Sequence, residues 1–201
     1  MIESPIPRLL VMDTGPLITL AVAESLDYLL FPGFPVIIPD AVFFEATRKN
    51  DAMGAASITE WVQLHADKVS IVPTTAFVSE IGALEQGAVR VRDLGERSAL
   101  EVIRYTPFAT EQEVAVLLTE DDEVISGRFV PDNQRHRIVV VTTHDLLEGL
   151  EKAQRINSVD EVYRRANDGG RLASKKKTEQ ENHKRAMDAL AQALKTNGPK
   201  P

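Results

Sequence analysis

The chain has 201 residues, 43% of them apolar, which suits one domain or one domain with a tail and excludes a wholly disordered polypeptide. It contains no cysteine, which removes a disulfide framework, a thiolate zinc site and a cysteine nucleophile, and fits a reducing cytoplasm. A formal net charge of -7 argues against a general nucleic-acid coat and leaves room for an acidic pocket that holds a cation.

Apolar runs fall far short of the roughly 18 residues of a membrane span, so no membrane partner is expected. The opening MIESPIPRLL lacks the basic segment and long apolar stretch of a secretory leader. Leu9–Met12 is the first continuous apolar run and reads as a strand buried on both faces. Residues 16–30 place Leu17, Leu20, Ala21, Leu26, Leu29 and Leu30 among polar residues, as two short helices. Val36–Ile38 is the second strand, and Asp40 after it reads as the N-cap of a helix over 41–49. Helices are expected over 55–65, 76–88, 96–105 and 144–153. Val69–Val72 is a weaker strand, and Val114–Leu118 and Ile138–Val141 are strong ones. Strands alternating with helices give an α/β sandwich around a parallel sheet.

Charge divides the chain. Residues 171–201 hold eight Lys/Arg against three acids, a balance of +5, and the preceding 170 carry -12. The turn-like Asp168-Gly169-Gly170 marks the boundary between a domain over 1–170 and a basic tail over 171–201. The tail reads as a linker, a helix over 178–195 and a frayed end. A solvated tail is the plainer expectation, although Met187, Leu190, Ala191 and Leu194 at helical spacing suit docking on a partner.

Three expected strands end in acids. Asp13 follows Met12, Thr119-Glu120-Asp121-Asp122 follows Leu118, and Thr142-Thr143-His144-Asp145 follows Val141. Ligands of open α/β sheets bind outside the carboxyl ends of the strands, though polar turn residues gather there in any such protein. Glu96 heads an apolar stripe of Ala99, Leu100 and Ile103, and it also stands at capping-box spacing from Asp93. Glu45 is either a carboxylate at the edge of a buried face or a surface partner of Arg48 or Lys49. Glu101 shares a face with Arg97, Arg104 and Tyr105 and reads as solvent-facing. Should Asp13, Glu45, Glu96 and Asp121 converge, each pair at about 4 Å repels by roughly 4 kcal/mol at an effective dielectric near 20. Such a cluster takes up protons or binds cations. Oxygen-only ligands and scattered histidines point to Mg²⁺ or Mn²⁺ rather than Zn²⁺, which suits phosphodiester hydrolysis.

These residues carry a resemblance. Leu10-Val11-Met12-Asp13-Thr14-Gly15-Pro16-Leu17-Ile18, Val36-Ile37-Ile38-Pro39-Asp40-Ala41-Val42 with Glu45, Leu94-Gly95-Glu96-Arg97-Ser98-Ala99, and Leu117-Leu118-Thr119-Glu120-Asp121-Asp122 resemble the motifs of PIN-domain nucleases. More loosely, they resemble the VapC-type toxins of that superfamily. The resemblance implies a three-layer α/β/α sandwich with a central parallel sheet and Mg²⁺- or Mn²⁺-dependent endoribonuclease activity on RNA. It assigns Asp13, Glu45, Glu96 and Asp121 as catalytic, metal-binding acids, with Asp122 as the alternative to Asp121. Asp145 becomes an auxiliary metal-binding acid, with Thr14 and Thr143 in support. For a toxin it implies a cognate antitoxin protein. A homodimer is the default assembly. The stretch 123–137 is longer than the resemblance leads one to expect. Its Arg128, Arg135 and Arg137, with Arg90, Arg92 and the tail lysines, are candidates for RNA phosphates.

Rival readings are weaker. Asp13-Thr14-Gly15 spells the aspartic-protease triplet, but it occurs once and without an all-β scaffold. A phosphohydrolase wants a second Asp where Gly15 stands, and a phosphoaspartate receiver wants a Lys after a late strand, where none follows Val141. The remaining alternative is an inactive PIN-like module that binds RNA or protein.

Overall fold

A computed structural model describes residues 5–49, 51–85, 93–173, 175–178 and 180–196. Strands β1 (Ile6–Met12), β2 (Val36–Pro39), β3 (Val69–Val72), β4 (Glu113–Leu118) and β5 (Ile138–Val141) form one sheet in the order β3-β2-β1-β4-β5. Every pairing is parallel, and β1 and β4 match Leu10 to Val116 and Met12 to Leu118. Each apolar run expected as a strand is one, including the weak Val69–Val72.

The continuous runs are apolar because both faces of the central strands are covered. Leu10, Met12, Val116 and Leu118 point into the larger core, and Val11, Ala115 and Leu117 point into a second one. The larger core is filled by α1 (Thr14–Val22), α2 (Asp40–Thr47), α3 (Ala55–Leu64), α7 (Thr143–Lys152) and α8 (Val159–Asp168). A 3₁₀ turn over Leu26–Leu30 stands where the second short helix was expected. The opposite face is packed by α5 (Leu94–Tyr105) and the single turn α6 (Asp122–Ile125), and α4 (Thr75–Glu85) packs on α5. This is the three-layer α/β/α sandwich.

Two details depart from the sequence expectations, and a third reaches outside the described residues. Asp40 is the first helical residue of α2, not its cap. Its carboxylate accepts the Ala41 N–H, the Thr74 N–H and the Thr74 hydroxyl, so it ties α2 to the loop after β3. The α8 helix is missing from the expected elements, although Val159, Val162, Tyr163 and Ala166 lie at helical spacing behind a Ser158 cap. The helix expected over 76–88 is described only as far as Glu85; residues 86–88 lie outside the described residues.

The tail helix is the largest correction. Helix α9 (Gln180–Thr196) is not solvated; it packs on β1, β5 and α7. Ala186, Ala189, Leu190, Ala193 and Leu194 are buried in the main core. The small alanines let the helix lie close to the sheet. A solvated tail cannot bury such a stripe, and here the stripe covers sheet surface that would otherwise meet water. Leu190→Ala is therefore expected to lower the unfolding free energy by about 2–5 kcal/mol, read by chemical denaturation. An exposed tail position would show no such loss.

Candidate acidic active site

The strand order reverses between β1 and β4, the position at which open α/β sheets bind ligands beyond the carboxyl ends of their strands. Asp13 follows β1 directly and caps α1. Its Oδ1 accepts the Thr14 N–H at 2.7 Å, and its Oδ2 accepts the Thr119 hydroxyl from the end of β4 at 2.8 Å. The Thr119 hydroxyl also accepts the Asp121 N–H, so one threonine joins the first acid to the segment carrying the second. Asp121 caps α6, with Oδ1 accepting the Glu123 and Val124 N–H groups.

Two helices bring further acids. Thr14 donates its hydroxyl to Glu45 of α2 at 2.9 Å, so the expected choice between a core edge and a surface pair is met on the core side. Gly95 sets the first turn of α5 against Asp13 and Thr14, where a Cβ would lie 3.5 Å from Asp13 Oδ1. Glu96 follows it. Asp93 has φ of 56° and makes no side-chain cap, so the capping box expected for Glu96 does not form.

The electrostatics report the crowding. Burial pushes the Asp13 carboxyl up to about 6, against hydrogen bonds from Thr119 and Thr14, with the charges of Glu45 and Asp121 adding to the rise. Burial also pushes Glu96 up to about 7, helped by the negative charges of Asp13, Asp121 and Asp93. Four acids from four separate segments thus share one end of the sheet.

A family model described as a PIN domain matches residues 9–124. The chain belongs to the PIN-domain family. No match is found among curated proteins or among solved structures. The matched span of this PIN domain holds β1 to β4 and the acids Asp13, Glu45, Glu96, Asp121 and Asp122; β5 and α7 to α9 lie beyond it.

The other sequence candidates of the PIN domain are placed differently. Asp122 is exposed and pairs with Lys176 at 2.6 Å. Asp145 is fully buried and forms a capping box with Thr142 at the start of α7. It also accepts the Thr178 N–H and faces His183 Nδ1 at 2.8 Å, so it clasps α9 to α7. Asp145, Glu148 and His183 bring ligand-type atoms within 4.8 Å of one another. Lys152 and Lys177 contact Glu148 at 2.7 and 3.0 Å. This second group of possible ligand atoms is built around the α7 cap and α9, apart from the four acids beside β1 and β4.

Thr143 donates to Glu120 at 2.6 Å, and Arg171 approaches the same carboxylate at 3.2 Å. Glu120 is nearly buried against Gly15, where a Cβ would lie 3.1 Å from Glu120 Oε2 and would press that carboxylate back by a few tenths of an ångström. Thr119, Glu120 and Arg171 are supports that sequence reasoning missed. The signal available was Gly15, whose missing side chain marks a close approach.

Arg135 and Arg137 lie just before β5, at the amino end of the strands and away from the acids. Arg135 hydrogen-bonds the Val130 and Gly127 carbonyls, and Arg137 bonds those of Thr110 and Glu113. Arg128 bonds Ser126. These guanidinium groups brace the 126–137 loop. Arg90 and Arg92 lie outside the described residues. Glu101 accepts the Thr75 and Ala76 N–H groups at the start of α4, so its expected solvent role gives way to a tie between helices.

The raised acids carry a sign. Between about pH 4 and 7 the folded state binds more protons at Asp13 and Glu96 than the unfolded chain, so stability falls as pH rises through that window. In metal-free buffer, Glu96→Gln is expected to be more stable than wild type at pH 8, with the gap closing toward pH 4. Urea unfolding across that range checks it, and a pH-independent gap would show that charge is not the cause.

Proposed function

We propose that this PIN domain is a metal-dependent endoribonuclease that hydrolyses RNA phosphodiester bonds, with Asp13, Glu45, Glu96 and Asp121 as its catalytic, metal-holding acids. One observation carries the reading: carboxylates from four segments meet beside β1 and β4, where burial first and the neighbouring negative charges second hold Asp13 and Glu96 toward protonation. Acids gathered this way are stabilised by protons or by a cation.

The donor set fits a hard cation. Carboxylate and hydroxyl oxygens make up the site, which suits Mg²⁺ or Mn²⁺. A divalent ion held there supplies Lewis-acid stabilisation of charge on phosphoryl oxygens and lowers the pKa of water. The chain's own residues set the acids for that task. Thr119 fixes one oxygen of Asp13, and the Thr14 N–H fixes the other. The Thr14 hydroxyl turns Glu45 toward the same place, and the first turn of α6 holds Asp121. The negative charge of Asp121, rather than that of Asp122 or Asp145, acts on both Asp13 and Glu96, so the proposed set stops at these four acids.

Cleavage and metal binding test the proposal. Purified protein should cleave single-stranded RNA with Mn²⁺ or Mg²⁺ and stop in EDTA, and Asp13→Asn should abolish cleavage while circular dichroism shows the fold retained. Cleavage that persists in EDTA would overturn the reading. Mn²⁺ binding without cleavage would favour an inactive RNA- or protein-binding module. Thr14→Ala, which frees Glu45 from its hydroxyl, is expected to weaken Mn²⁺ binding roughly 10–100-fold by calorimetry. Wild-type Mn²⁺ affinity should rise between pH 6 and 8, because binding expels protons held by Asp13 and Glu96. The VapC-like motifs extend the proposal to the toxin of a toxin–antitoxin pair acting in the cytoplasm; growth arrest on induction, relieved by a neighbouring gene product, is its test.

A further inference from the structure

The connection from α8 to α9 brings cations to the acidic end of the sheet. Arg171 anchors its start, with Nε 3.2 Å from the Thr19 hydroxyl and Nη2 3.2 Å from Glu120. Farther on, the Lys176 carbonyl accepts the Thr142 hydroxyl at the end of β5, and the Thr178 N–H donates to Asp145. The strap is thus fixed at its backbone beside the carboxyl ends of β4 and β5. Its residues 175–178 are neither helix nor strand.

Three consecutive lysines project from it. Lys176 meets Asp122, the neighbour of Asp121, at 2.6 Å. Lys175 meets Asp160 at 2.6 Å, and Lys177 meets Glu148 at 3.0 Å. Their side chains are 53%, 41% and 50% exposed for Lys175, Lys176 and Lys177. The carboxylates facing Lys175 and Lys176 are exposed, and such pairs hold weakly, so these ammonium groups exchange partners readily. Glu148 is the more buried partner, and it keeps Lys152 when Lys177 turns away. Arg135 and Arg137 are committed to backbone carbonyls at the far end of the strands. An acidic site repels an RNA backbone unless positive charge stands beside it, and phosphate contacts set the register of the strand.

We propose that Lys175, Lys176 and Lys177 form a phosphate-binding strap beside the acid site, with Lys176 taking a phosphate of single-stranded RNA next to the one presented to Asp13 and Asp121. This rests on the nuclease reading for its substrate, and it adds a substrate-positioning role for a segment beyond the family match. The strap's backbone is held by Thr142 and Asp145, so its side chains are free to change partner without moving the chain.

The test is binding, read separately from cleavage. Affinity of the full chain for a fluorescent single-stranded RNA of about ten nucleotides is measured by anisotropy in EDTA, from 50 to 250 mM KCl. Lys176→Ala should flatten the slope of log affinity against log salt by about 0.7, and the triple alanine variant at 175–177 by about two. Lys176→Arg should keep the wild-type slope, which a purely structural loss would not predict. Thermal unfolding identifies any variant that fails to fold, and Lys176→Ala alone then decides. Wild-type slopes in these variants, or no RNA binding by wild type, would overturn the strap. Flattened slopes without Mn²⁺-dependent cleavage would keep the strap and overturn the nuclease reading.

Discussion

Reversal of the crossover direction between β1 and β4 is the constraint from which the acid site follows. The chain leaves β1 toward β2 and β3 on one side, then returns to build β4 and β5 on the other. Connections leaving β1 and β4 therefore diverge above two hydrogen-bonded neighbours, the place where open α/β sheets bind ligands. The Asp13 N–H still bonds the Leu118 carbonyl at 3.0 Å, so Asp13 and the β4 end are locked in register. The Thr119 hydroxyl then spans the gap to the Asp13 carboxylate. Acids that lie 108 positions apart in sequence become neighbours through one sheet register.

The same arrangement works against stability. Asp13 is buried and its neighbours are negative, so hydrogen bonds from Thr14 and Thr119 only partly offset the desolvation of its charge. A fold selected for stability alone would place an apolar or amide side chain there. Conflicts of this kind, where a local rule is broken inside an otherwise consistent core, mark sites kept for chemistry. Around them the molecule is conventional. Leucine and valine fill both sheet faces, and short polar networks such as Asp40–Thr74–Ser98 tie the loops.

Much of the architecture was legible in the sequence because strands buried on both sides must be continuous apolar runs, and these were plain. The set Asp13, Glu45, Glu96 and Asp121 came from the family resemblance; spacing alone placed Asp13 after a buried strand and Glu96 at the head of an apolar stripe, and left Glu45 open. Choosing between Asp121 and Asp122 was not. That depends on the α6 cap, which engages Asp121, and on Lys176, which engages Asp122 from 54 positions away. Asp145 carried a second legible signal: Thr142 three residues before it spells the capping box that forms at the start of α7. Arg135 and Arg137 cluster in sequence, and only their three-dimensional neighbours reveal the carbonyls that they bond. The apolar stripe of α9 was visible, but its docking surface is assembled from β1, β5 and α7.

That docking has a consequence for how the molecule is made. On a ribosome delivering about 5–20 residues per second, β1 emerges long before the helix that seals it. Residues 6–12 must wait for 180–196, a separation that places this contact among the slowest a growing chain forms. Until then Leu10 and Met12 lack part of their cover, and the sheet face they line stays open to water.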